Sequence, residues 1–248
     1  FNDFKKNAMT QYNQSLTTVS TLTDKTNYQS DPLSVYQLLC HNKENNLLLE
    51  SAEITQKHLL KSLLLTDAAV KIVCNGNTVT FNALTLNGQA ALQFAATQLK
   101  THAQLALSDD QQTLTAIFPN IPTELDEKTR LMAINPFESL RLFNRIENSN
   151  NHHFAIFLGG AFAFDMVAIS ETLPDVPDGE NTCPDFVYYL AETLVVIDHE
   201  LKSTEIIANV FSTETPTIQA QVQQQLAARV SDIKQQLSTQ ITPAHIPS

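Results

Sequence analysis

The stretch CPDFVYYLAETLVVIDHELKSTEIIANVF, Cys183 to Phe211, decides the fold class. It contains two runs, Phe186 to Asp198 and Ser203 to Phe211, rich in the β-branched and aromatic residues that suit a pleated, buried surface. Only His199-Glu200-Leu201-Lys202 separates them, a hairpin-length connection, so the two long strands must pair antiparallel. A second hairpin lies upstream. Val70 to Cys74 and Thr78 to Phe81 flank Asn75-Gly76, a pair that tolerates positive φ, and Asn77 lengthens the loop enough for a bulge.

Working outward, helix signals interleave with strands. Asp31 caps a short helix with Pro32 at its first position and Val35, Leu38 and Leu39 inward. The aliphatic run Leu47 to Leu49 reads as an interior strand that delivers Glu50 and Ser51 at its end. Thr55 to Leu65 has the period of a helix, with Leu59, Leu60, Leu63 and Leu64 on one face and Lys57 and Lys61 on the other. Gly88 to His102 is a further amphipathic helix burying Leu92, Ala95 and Leu99, and Leu114, Ala116 and Phe118 alternate as on a half-buried strand. Asn135-Pro136-Phe137-Glu138 combines an N-cap, an N1 proline and an N3 acid, with Leu140, Phe143 and Ile146 behind it. Phe154 to Phe164 is apolar on both faces, as the middle strand of the sheet would be, and Gly159-Gly160 marks a bulge or the approach of another backbone. After a Pro-rich loop from Pro174 to Pro184 and the long hairpin, Thr215-Pro216 opens a last helix with Val222, Leu226, Val230, Ile233 and Leu237 in one stripe. Mixed order joined by hairpins predicts an α+β fold, a mainly antiparallel mixed sheet flanked by helices.

The polar first thirty residues read as loosely held apart from a strand near Leu16 to Leu22; Met9 is a candidate start, with a native extension over Phe1 to Ala8 left open. Residues 31–240 form the domain, and 241–248, with Pro243 and Pro247, read as a linker.

Fifteen Lys and Arg against 26 Asp and Glu give a net charge of -11, which repels phosphate backbones and anionic lipid alike. Nucleic acid and membrane partners are therefore disfavoured. No apolar run approaches the roughly 18 to 20 residues needed to span a bilayer, and Cys40, Cys74 and Cys183 are too scattered for a disulfide framework, so a cytoplasmic setting and three buried, inert thiols are expected. Dinucleotide, phosphate-loop, serine-hydrolase and zinc-protease motifs are all missing. His152-His153 lacks further ligands at metal spacing and reads as a solvated loop, and Asp198-His199 as a turn. Asp165 ends an apolar run and needs a cap, solvent or a cation such as Arg141. The remaining candidate is Leu49-Glu50-Ser51: a carboxylate can neutralise an ammonium, a hydroxyl can bond a carboxylate, and leucines exclude water, an arrangement suited to an amino acid, although by composition alone a polar strand end is the preferred reading.

At LLLESAEI (Leu47 to Ile54), LKSLLLTDAAVKI (Leu60 to Ile72), GGAFAFDMVA (Gly159 to Ala168) and CPDFVYYLAETLVVIDHELKST (Cys183 to Thr204), the chain resembles the amino-terminal region of anthranilate synthase component I, over essentially Asp31 to Leu237. One departure is Phe164, where many relatives carry Tyr. The resemblance implies an L-tryptophan feedback site on Leu49, Glu50 and Ser51, with Lys61 nearby. It also implies that 31–240 is a regulatory domain, with no catalytic residue or cofactor of its own and inactive alone. Chorismate and Mg²⁺ would be bound by a carboxy-terminal chorismate-binding domain of the parent enzyme. That parent converts chorismate and ammonia to anthranilate and pyruvate, with ammonia from a glutamine amidotransferase subunit. Aminodeoxychorismate synthase component I and a free-standing amino acid sensor are the alternatives. Apolar surface or strand edges left uncovered by a missing domain lead to an expectation of self-association.

Overall fold

In the computed structural model, which describes residues 18–50, 61–122, 124–164, 166, 183–211 and 215–238, the strands are β1 (Thr18–Thr26), β2 (Leu47–Glu50), β3 (Lys61–Asn75), β4 (Thr78–Ala83), β5 (Gln104–Leu107), β6 (Thr113–Ile117), β7 (Glu147–Asn148), β8 (Leu158–Phe162), β9 (Phe186–Asp198) and β10 (Ser203–Phe211). The helices are α1 (Pro32–Cys40), α2 (Leu86–Leu99), α3 (Glu127–Met132), α4 (Glu138–Arg141) and α5 (Pro216–Ser238), with a 3-10 turn at Leu142–Arg145. One curled sheet runs β5-β6-β4-β3-β9-β10-β1-β7, with β2 added to β3 and β8 added to β9. Among the described residues every pairing is antiparallel except the short β1–β7 contact, and the fold is α+β as expected.

The spine is the long β3–β9 ribbon, which pairs from Lys61↔Asp198 to Cys74↔Phe186. Its register breaks between Leu65 and Val70: Thr66 and Ala69 on β3 and Glu192 on β9 have no partner across the ribbon. Extra residues of this kind bend and twist a ribbon. The two halves consequently have different neighbours. Before the break β2 covers the free side of β3 and β10 that of β9; beyond it β4 and β8 take those places.

Three clusters form the core. Val70, Ile72 and Cys74 with Phe186 and Leu190 pack under α2 and with Leu142 and Phe143. Leu64, Val195 and Ile197 pack with α1 and α5, while Leu63, Leu65, Leu194 and Val196 face the other way, toward Phe154 and Phe157. The stripe on α5 is the expected one, Val222, Leu226, Val230, Ile233 and Leu237 all being buried. At about 1.5–3 kcal/mol for each such side chain, as an upper estimate, this face holds a helix whose intrinsic propensity alone would leave it marginal. Arg229 to Asp67 at 2.9 Å and Lys234 to Asp24 at 2.8 Å fix its rotation.

Several expectations are corrected. Lys61 to Leu65 is strand, not the end of a helix, because Leu63, Leu64 and Leu65 are sandwiched between β2 and β9 with alternate side chains entering different clusters; 51–60 lies outside the described residues. Phe154 to Phe164 is not the central strand: only Leu158–Phe162 is extended, pairing with β9 alone, while Phe154 and Phe157 fold over Leu65 and Leu194. Another backbone does come close at Gly160, where a Cβ would lie 2.1 Å from the Val187 carbonyl oxygen. In α1, Leu38 is 44% exposed, and Pro32, Ser34 and Cys40 join Val35 and Leu39 inside. The β3–β4 loop is Gly76-Asn77, since Asn75 pairs with Thr78, and Gly76 alone takes positive φ, at 57°. Cys183 is exposed while Cys40 and Cys74 are buried.

Candidate functional site

The long hairpin brings one end of the spine together with β2. Register pairs Leu49 with Leu63 and Glu50 with Ser62, and alternate side chains on a strand point to opposite faces. Leu48 accordingly packs into the α1/α5 cluster and Leu47 into the opposite one. Glu50, with Ser62, therefore belongs to the α1/α5 face, and Leu49 and Lys61 to the other. Glu50 is exposed, as is Leu49 at 38%. Among the described residues β2 pairs only with β3, so its outer edge is open there. Upstream, the Tyr36 hydroxyl donates to the Asn46 side chain and ties α1 to the entry of β2. Ser51 lies outside the described residues, as does Asp165.

Lys61 does not stand free. Its ammonium lies 3.2 Å from Asp198 Oδ2, while Asp198 Oδ1 accepts the amides of Glu200 at 3.1 Å and Leu201 at 2.8 Å, closing the hairpin turn. Burial pushes the Asp198 carboxyl up, but the Leu201 amide, Lys61 and the Glu200 amide together outweigh it and hold the group below the usual carboxylate range. On the other face His199 bridges two hydroxyls: Nδ1 to Tyr28 at 2.8 Å and Nε2 to Ser62 at 3.0 Å. The Tyr28 and His199 rings meet edge to face, with centroids 5.8 Å apart, and Lys202 Nζ sits 4.8 Å from the Tyr28 ring centroid. Ser62 is 2% exposed.

Tyr28, Ser62 and the bridging role of His199 were missed in the sequence. Reading Lys61 to Leu65 as strand would have set Ser62 beside Glu50; nothing local announces Tyr28, which reaches His199 across 171 positions. Arg141 pairs with Glu138 at 2.9 Å on the same helix. His152 lies 3.7 Å from Glu205, and no group of three or more His, Cys, Asp or Glu among the described residues can hold a metal ion. No described helix is long and apolar enough to cross a membrane.

Fold and site thus define an α+β domain whose polar cluster gathers at one end of a bent β-ribbon, beside a strand edge that is open among the described residues. No family model matches the chain. It is 40% identical over 221 residues to anthranilate synthase component 1 of Vibrio parahaemolyticus, covering 89% of this chain and 39% of that protein. The Vibrio cholerae protein of the same name is 40% identical over 86% of this chain and 40% of its own length. That of Escherichia coli is 39% identical over 93% and 43%. The chain belongs to the anthranilate synthase component 1 family. It spans about two fifths of the length of the curated relatives it matches.

Proposed function

We propose that this chain is the amino-terminal regulatory part of an anthranilate synthase component 1 and contributes Leu49, Glu50, Ser51 and Lys61 to an L-tryptophan feedback site. In this reading, conversion of chorismate and ammonia to anthranilate and pyruvate, the opening step of tryptophan biosynthesis, belongs with its Mg²⁺ to the remaining portion that such relatives carry. A glutamine amidotransferase subunit, component II, supplies the ammonia. One observation carries the reading: in a chain of this family, the Glu50 carboxylate is exposed at the end of a strand whose outer edge is open among the described residues. A carboxylate there can neutralise the ammonium of an amino acid, and Leu49 offers apolar surface on the opposite face of the same strand end. Lys61, with three donors and only one engaged by Asp198, retains capacity for a ligand carboxylate. Feedback then requires that the effector bind one arrangement of the whole enzyme better than another, a difference of about 1–3 kcal/mol.

The test is calorimetry and inhibition with L-tryptophan on the full-length protein. Glu50→Ala removes a charge-assisted bond worth about 1.5–3 kcal/mol, so binding and inhibition should weaken roughly 10- to 100-fold while turnover of chorismate is preserved. Equal losses of inhibition and turnover, or no loss of inhibition, would refute the assignment.

A further inference from the structure

Closing the β9–β10 turn requires only one oxygen of Asp198, the one that accepts the Glu200 and Leu201 amides. The other oxygen, and both nitrogens of the neighbouring imidazole, are engaged elsewhere. Asp198 Oδ2 holds Lys61, and His199 Nε2 and Nδ1 hold Ser62 and Tyr28. Lys61 and Ser62 are consecutive on β3 and point to opposite faces, so Asp198 at the end of β9 and His199 in the turn after it grip the start of this strand from both sides. That start is where Ser62 stands in register with Glu50. A neutral imidazole donates one hydrogen bond and accepts one, and hydroxyls on both sides can take either role, so the ring is fixed at both ends. Tyr28 is itself packed against the α1/α5 cluster, which anchors the relay to the core.

We infer that Asp198 and His199 are positioning residues of the proposed effector site, setting Lys61 on one face and the Ser62 edge beside Glu50 on the other; this rests on the reading of that site given above. They need not touch the effector. Their part is to hold β3 so that β2 presents Leu49 and Glu50 at a fixed angle, as supporting contacts do for the groups that meet a ligand.

The experiment uses the full-length enzyme, with L-tryptophan as the probe. Asp198→Asn keeps an oxygen for the turn amides but loses the charge on Lys61; His199→Ala removes both ends of the relay. Each should raise the tryptophan concentration for half-inhibition about 5- to 10-fold, with chorismate kcat and KM within about twofold of the parent. His199→Gln, whose amide can still meet Ser62, should recover most of the loss. In a Glu50→Ala background, His199→Ala should add less than about twofold, because the relay acts through the site already removed. If His199→Ala does not fold, Tyr28→Phe, which deletes one hydroxyl, takes its place in the cycle. A lower Tm with an unchanged tryptophan response would reduce the relay to a structural role and overturn the inference. Tighter inhibition in Asp198→Asn would do the same, since Asp198 would then be a competitor for Lys61. If Glu50→Ala weakens inhibition and the turn variants do not, only this inference falls; if Glu50→Ala leaves inhibition intact, the effector reading falls and takes this one with it.

Discussion

Gly88→Ala sets two opposite effects against each other. Alanine is the better helix former by about 0.8–1.0 kcal/mol in a helix interior, and Gly88 lies in the first turn of α2, so propensity alone predicts a modest gain. Packing predicts the reverse. A Cβ at this position would stand 2.0 Å from the Ala69 carbonyl oxygen and 2.8 Å from its carbon, whereas carbon and oxygen normally approach no closer than about 3.3 Å. The oxygen cannot simply retreat, because it accepts the Leu84 amide at 2.8 Å and belongs to the irregular segment of β3. Nor can the helix start move freely, since the Gly88 amide is capped by Thr85 Oγ1 at 3.0 Å. Overpacking of about 1–3 kcal/mol, with about 1 kcal/mol for each hydrogen bond stretched, exceeds the propensity gain and leaves a net loss of about 2–4 kcal/mol. For a domain of this size that is a fall in Tm of roughly 5–15 °C, readable by thermal or urea denaturation. Gly76→Ala is the control: nothing lies within 4 Å of its Cβ, and only the left-handed φ of 57° is penalised, by about 1–2 kcal/mol. An unchanged or raised Tm in Gly88→Ala would refute the close approach of α2 to β3.

Glu192 is buried in β9, and burial, against bonds from Thr85 and Asn87 and with the charge of Asp67 adding to it, holds its carboxyl above the ordinary 4.5. Because the folded state keeps this proton longer than the unfolded chain, stability is full below that ordinary value and is lost as pH rises through the folded one. Glu192→Gln should therefore gain on the parent as urea midpoints are compared from pH 4 to pH 7; parallel curves would contradict it. Ile233→Ala in the fully buried stripe of α5 should cost about 2–5 kcal/mol in the same assay, and a loss below about 1 kcal/mol would place α5 off this core. Burial pushes the Cys40 thiol up to about 11 and that of Cys74 up to about 12. A thiol reagent should thus label Cys183 quickly in the native protein and the other two only on unfolding, and three fast thiols would count against both burials.

The elements readable from the sequence were those whose pattern is locally complete. The Phe186–Phe211 hairpin carries its strands and loop within one stretch, and α5 repeats its stripe over 23 residues. Misreadings fell where two periods fit the same letters. Lys61 to Leu65 has leucines that suit a helix face, yet a strand flanked on both sides also takes leucine at every position, and only the partners β2 and β9 decide between them. Phe154 to Phe164 is apolar throughout because part of it covers the sheet from outside, a role that composition does not separate from a place within it. At the site, Glu50 was visible as a polar end to an aliphatic run, whereas the grip of Asp198 and His199 on Lys61 and Ser62 depends on a register spanning 137 positions.

That register also constrains how an amino acid can be held. With Glu50 on the α1/α5 face and Lys61 on the other, no ligand lying flat on either face meets both. A free amino acid carries its ammonium and carboxylate on a single carbon, so a molecule that uses both side chains must straddle the strand end at the open edge of β2. Among the described residues no strand pairs with that edge, and main-chain N–H donors on it would suit the ligand's carboxylate. An edge is the softest part of a sheet, and fixing it calls for contacts from elsewhere in the fold. The long hairpin provides them, because its turn closes beside the start of β3. The same 29 residues that form the long hairpin therefore also supply the contacts at the start of β3, the strand on which β2 is paired.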